Sequence, residues 1–110
     1  MQTEKELIEA NATNINDWKT KHKTVKVITV ISKLNGKLPF IIGKPTAQVL
    51  DAIAKYDTEG KPHKVNEVLI NSCVLAGDKH LFNEDVDLKN AVLLRVTDML
   101  ERLEVEEKEL

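Results

Sequence analysis

The sequence predicts an α+β fold: a short N-terminal helix, a β-hairpin, then three packed α-helices. Three observations carry this prediction. β-branched residues dominate Thr24 to Ser32, Asn35-Gly36 follows just ahead of a second apolar run, and from Thr46 onward apolar residues recur at intervals of three and four. At 110 residues the chain has room for one core, burying roughly two-thirds of the surface exposed by the unfolded chain. Residues 1–13 are expected to fray, residues 14–105 to form the single domain and residues 106–110 an acidic tail.

Taken in order, MQTEKELIE is helix-permissive and acidic but too short to hold as a helix unless docked. Asn14 to Asp17 offers side chains that can cap a short helix through Trp18 to about His22. TVKVITVIS is the first strand, Asn35-Gly36 suits the two positive-φ positions of a type I′ turn, and LPFII is the second strand. Pro39 cannot donate to a ladder, so that second strand is expected to lie at an edge or to begin just after it. Pro45 or Thr46 starts a helix with Ala47, Leu50, Ile53 and Ala54 on one face, ending near Tyr56. The next helix starts near Pro62, and its stripe Val65, Val68, Leu69, Ser72, Cys73 and Ala76 runs up to Gly77 as a left-handed terminator. Asp85 or Asp87 caps the last helix, whose seam is Leu88, Val92, Val96, Met99 and Leu103. The extra apolar residues from Ala91 to Leu94 suggest that this helix buries two faces, one inside the domain and one against a partner.

Composition narrows the function classes. Hydrophobic residues are 42% and charged residues 31%, a balance suited to a soluble globular domain. A single cysteine forms no internal disulfide, and the sequence has neither a secretory leader nor an apolar run near the ~20 residues of a membrane span, so a reducing cytoplasm is expected. The net charge of −2 hides an asymmetry: Trp18 to Leu50 holds seven lysines and no acid, leaving −9 on the rest.

The segment NSCVLAGDKH gathers Cys73, Asp78 and His80, yet its chemistry is weak. Cys73 falls late in its predicted helix, where the dipole opposes a thiolate, and it shares a stripe with Leu69 and Ala76. His63 lies ten residues earlier, about 15 Å along a helix that rises about 1.5 Å per residue. A buried structural thiol is the better reading. His22, His63 and His80 show no paired zinc spacing, and Glu84, Asp85 and Asp87 lack the glycine and distal glutamate of a calcium loop. Gly43-Lys-Pro-Thr46 resembles a phosphate loop only superficially, because Leu38 stands at the required upstream glycine and Pro45 removes an amide donor. No catalytic residue, cofactor or metal is therefore expected.

The lysine block is the remaining recognition feature. It could engage phosphates with Trp18 or Phe40 stacking on bases, but it lacks an arginine to read a base, and lysine also protects exposed strand edges. Edge protection and attraction to an acidic protein are favoured, and a nucleic-acid-binding accessory role is the alternative. A strand edge at Phe40, Ile41 and Ile42 and an outer face of the last helix at Leu93, Leu100 and Leu103 are the expected partner contacts, with a homo-oligomer as one form of partner.

The order Trp18-Lys-Thr-Lys-His22 before a strand, a hairpin, Lys44-Pro45-Thr46 opening a helix, then Asn66-Glu67 through Asn71-Ser-Cys73 to Gly77-Asp78 resembles small tail assembly chaperones of tailed phages and prophages. The resemblance spans roughly Asp17 to Leu103. It implies a non-enzymatic protein of the host bacterial cytoplasm that binds the long, aggregation-prone tape-measure protein and helps bring tail-tube subunits to it during virion assembly. It supplies no catalytic residues.

Overall fold

The computed structural model describes residues 2–100 and 104–110. Its elements are helices α1 (Glu4–Ala10) and α2 (Ala12–His22), strands β1 (Val25–Ser32) and β2 (Gly36–Gly43), helices α3 (Ala47–Thr58) and α4 (Pro62–Cys73), strand β3 (Val74–Ala76), a 3-10 turn at Lys79–Asn83 and helix α5 (Val86–Asp98). The α+β class and the order of helix, hairpin and helices are those the sequence predicts. Among the described residues no helix is long and apolar enough to cross a membrane.

The N-terminal segment is a correction. Where fraying is expected, Thr3 caps α1 by accepting from the Glu6 amide, and Leu7 is buried at 3% exposure. Docking against the hairpin supplies what a seven-residue helix lacks by itself. Asn11 closes α1, donating its side-chain amide to the Leu7 carbonyl, and opens α2. That second helix thus starts ahead of the Asn14 to Asp17 caps suggested by the sequence.

β1 and β2 pair antiparallel from Val25 opposite Gly43 to Ser32 opposite Gly36. The connection is Lys33 to Asn35, and only Gly36 of the expected turn pair has positive φ, at 77°. A two-residue type I′ turn is therefore not formed. Ser32 Oγ accepts from the amides of Leu34 and Asn35, and the Asn35 side chain is drawn away to donate to Asp85.

The three-stranded sheet has the order β1-β2-β3. One face carries Ile28 and Val30 from β1 and Leu38, Phe40 and Ile42 from β2 into the core, where α4 adds Leu69 and Cys73 and α5 adds Leu88, Val92, Leu93 and Val96. Phe40 stacks on Phe82 of the 3-10 turn with ring centroids 5.4 Å apart. α1 and α2 lie with the opposite face, and α3 packs on α4. The first turn of α3 is capped by Thr46, and Pro62 opens α4, both as predicted.

NSCVLAGDKH does not finish as helix. Cys73 is the last helical residue, Val74–Ala76 turns into β3, and Gly77 has φ +125°, outside the left-handed helical cap expected of it. The exposed side of β2 at Ile41 and Ile42 captures Val74 and Ala76, which offers those three residues ladder bonds in place of another helical turn. A Cβ on Gly77 would sit 2.3 Å from the Phe40 ring and 2.9 Å from the Pro39 carbonyl oxygen, so glycine is required where the chain leaves β3.

α5 ends at Asp98, with Met99 of the expected seam just past it and Leu103 outside the described residues. Residues 104–110 have neither helix nor strand and are exposed throughout.

Candidate partner-binding surface

The expected strand edge is in the wrong place. Phe40, Ile41 and Ile42 are 0%, 2% and 1% exposed, because β2 is the central strand, flanked by β1 and β3. Leu93 is likewise buried in the core, and Leu100 is half-buried beyond the end of α5. Leu103 lies outside the described residues. Among the described residues these positions therefore do not gather into one partner-facing surface.

Pro39 suits a central strand here because of the phase of the ladder. The Lys44 amide donates to the Thr24 carbonyl at 3.0 Å, which makes Thr24 and Lys44 a hydrogen-bonded pair. Alternation along the register makes Lys26, Ile28, Val30 and Ser32 the residues of β1 that bond to β2. Pro39 faces Thr29 in a pair that exchanges no bonds, so its missing amide costs that ladder nothing. Its backbone turns toward β3 instead, whose pairing with β2 is confined to Ile41 and Ile42.

The same phase locates the unpaired edge. Val25, Val27, Thr29 and Ile31 turn their N–H and C=O groups away from β2, and among the described residues no strand lies beyond β1. This edge runs for eight residues, about 27 Å at about 3.4 Å per residue. Beside it, Ile31 and Leu34 stand 74% and 75% exposed, and Val86 and Leu94 of α5 are exposed as well. Ile31, Leu34 and Val86 were missed in the sequence, whereas Leu94 falls within the Ala91 to Leu94 run expected to give α5 a second face. The signal available for Ile31 was the strand's own period of two, which places it on the same face as polar Thr29.

Grooves flank the edge on both faces. On one, a groove of about 530 Å³ runs between the start of α1 and the hairpin, lined by Glu4, Thr29, Ile31, Lys37 and Pro39 among others. Within it the Thr29 hydroxyl donates to the Glu4 carboxylate. On the other face, Lys26 and Ile28 line a groove with Arg95 and Asp98 of α5, and nearer the turn Val30 lines another with Asp87 and Ala91. Lys19, Lys21, Lys23, Lys26, Lys33 and Lys37 are all exposed.

Asp85 locks the far end of this surface. Its Oδ1 accepts from the Leu88 amide at 3.1 Å, capping α5, while Oδ2 accepts from the Ser32 hydroxyl and from the Asn35 side chain. The Ser32 hydroxyl and the Leu88 amide hold its carboxyl below the usual aspartate value; burial opposes them, and Asn35 adds to the lowering. One carboxylate thus ties the hairpin turn to the last helix. The sequence identified the cap but not the tie, which joins residues 53 positions apart.

Cys73 is fully buried, and burial pushes its thiol up to about 11, with the positive charge of Lys21 pulling the other way. His22 is also buried: its ring packs over Gly43, and its Nδ1–H donates to the Lys44 carbonyl at 2.8 Å. Its role is to seat α2 on the end of β2. Among the described residues no three His, Cys, Asp or Glu side chains come together as a metal site. Comparison with protein-family models, curated protein sequences and solved structures returned no match.

Proposed function

We propose that this chain is a non-enzymatic protein-binding protein acting in the bacterial cytoplasm during phage tail assembly, where it holds the tape-measure protein until tail-tube subunits reach it. The observation that carries this reading is the unpaired edge of β1, with apolar Ile31 and Leu34 exposed beside it. Unsatisfied backbone groups beside exposed aliphatic side chains are what a protein needs to keep another aggregation-prone chain in solution. The order of elements that resembles the tail assembly chaperones supports the choice of client, and the burial of Cys73, with its raised thiol value, speaks against thiol chemistry.

Co-expression with the tape-measure protein of the same phage or prophage tests the proposal. The tape-measure protein should be insoluble alone, and soluble and co-purifying when this chain is present. A tape-measure protein that stays insoluble, together with a salt-sensitive gel shift of DNA or RNA by this chain, would replace the reading with the nucleic-acid alternative.

A further inference from the structure

We propose that the open edge of β1 receives an extended segment of a client polypeptide, apolar or β-branched in its middle and carrying carboxylates at both ends, as a fourth strand of the sheet. The proposal deepens the protein-binding reading and rests on it.

Three features define that segment. Val25, Val27, Thr29 and Ile31 offer four N–H and four C=O groups at alternate positions, the spacing an added strand requires. The two faces beside the edge supply apolar contacts, from Val27 and Ile31 on one and Ile28, Val30 and Ala91 on the other, so the middle of the segment meets aliphatic side chains both above and below the sheet. The ends of the edge are basic: Lys23 and Lys26 at one, Lys33 and Lys37 at the other, all exposed and all within a stretch from Trp18 to Leu50 that contains no acid. On the α5 wall Arg95 stands between Asp87 and Asp98, so the basic character comes from the hairpin. The chain already places one carboxylate against this edge, since Glu4 accepts from Thr29.

Charge also argues against a second copy as the occupant. The antiparallel register that pairs the outward residues of two copies, Val25 with Ile31 and Val27 with Thr29, is centred on Ile28, and it sets Lys23 of each chain opposite Lys33 of the other. Like charges directly opposite are destabilising, whereas carboxylates at those places are attracted.

The test uses the full chain and two synthetic decapeptides, Glu-Glu-Thr-Val-Thr-Val-Ile-Val-Glu-Glu and the same sequence with every Glu replaced by Lys, read by amide hydrogen exchange and by affinity. In the free protein the amides of Val25, Val27, Thr29 and Ile31 should exchange fast while those of Lys26, Ile28 and Val30 are protected. The Glu-ended peptide should slow the four open amides, bind about tenfold more tightly than the Lys-ended one, and lose that advantage between about 0.05 M and about 0.5 M salt. Thr29→Pro removes an outward donor and no rung of the β1–β2 ladder, and should abolish binding. Should that variant not fold, Lys26→Glu with Lys33→Glu, at exposed positions, should lower affinity for the Glu-ended peptide by about tenfold or more. Equal binding of both peptides, undiminished binding to these variants, or protection of the four amides in the free protein would overturn the proposal, the last pointing to a copy or another segment of the chain on the edge. If neither peptide binds but the tape-measure protein is kept soluble, this surface is wrong and the function stands. If the Glu-ended peptide binds while the tape-measure protein precipitates, the edge stands and the tail-assembly role falls.

Discussion

β1 and β2 are two strands of one hairpin with opposite fates. β1 is the more β-branched of the two, yet it lies outermost with Lys26, Thr29 and Ile31 exposed, whereas β2 contains a proline and is the centre of the sheet. Its last six residues, Leu38 to Gly43, are all buried. Strand propensity therefore does not decide which strand becomes the edge. What decides it is which side of the hairpin is met by the rest of the chain, and here β3 leaves α4 alongside β2.

The comparison can be broken from its strong side first. Phe40→Ala in β2 removes a fully buried ring stacked on Phe82, and should cost about 3–5 kcal/mol in urea unfolding. A proline scan of β1 comes next. Ile28→Pro takes away a donor to β2 and should cost about 3 kcal/mol or more, whereas Thr29→Pro, one residue on, should cost about 1 kcal/mol or less because its amide faces outward. Equal effects at the two positions would disprove the ladder phase derived from Thr24 and Lys44. Gly77→Ala, at φ +125° and against the Phe40 ring, should cost about 2–3 kcal/mol, measured the same way.

Asp85 gives a smaller effect with a definite sign. Its folded-state value lies below the ordinary aspartate value of 3.8, so its stabilisation is complete above about pH 4. That contribution disappears as pH falls through the lower folded value. Wild-type stability should therefore decline on acidification below about pH 4, and Asp85→Asn should flatten that part of the profile while lowering stability at neutral pH. The smallest effect belongs to the open strand: Ile31→Ser, at a position 74% exposed, should shift the unfolding midpoint by no more than about 0.5 kcal/mol.

These contrasts also show what the sequence could convey. The helices from Thr46 onward were legible because their caps and apolar stripes are local: Thr46 accepts from the Val49 amide, and Asp85 from the Leu88 amide. The hairpin was legible from its β-branched run. Its turn was not, because Asn35 answers to Asp85, fifty positions away, as well as to its own backbone. The end of α4 is illegible for a related reason: Ala76 continues the helical stripe of Leu69 and Cys73, and only the free side of β2 makes a strand the better use of the backbone groups of Val74, Leu75 and Ala76. Pro39 pointed to an edge because sequence gives the missing donor but not the phase of the ladder. The candidate surface is least legible, since Phe40, Ile41 and Ile42 are apolar and close to that proline, and both properties describe a core position equally well.

The carboxylate that ties the hairpin turn to α5 also orders events in time. A ribosome has completed both strands of the hairpin well before it reaches Asp85, 53 residues after Ser32. Contacts of such sequence separation close late and slow folding, while the local β1–β2 pairing can form early. The nascent hairpin thus passes through a period with both flanks of β2 and β1 unguarded and its turn unfastened. β3 closes the β2 side at Ile41 and Ile42 and Asp85 then fastens the turn, whereas among the described residues no strand comes to cover β1.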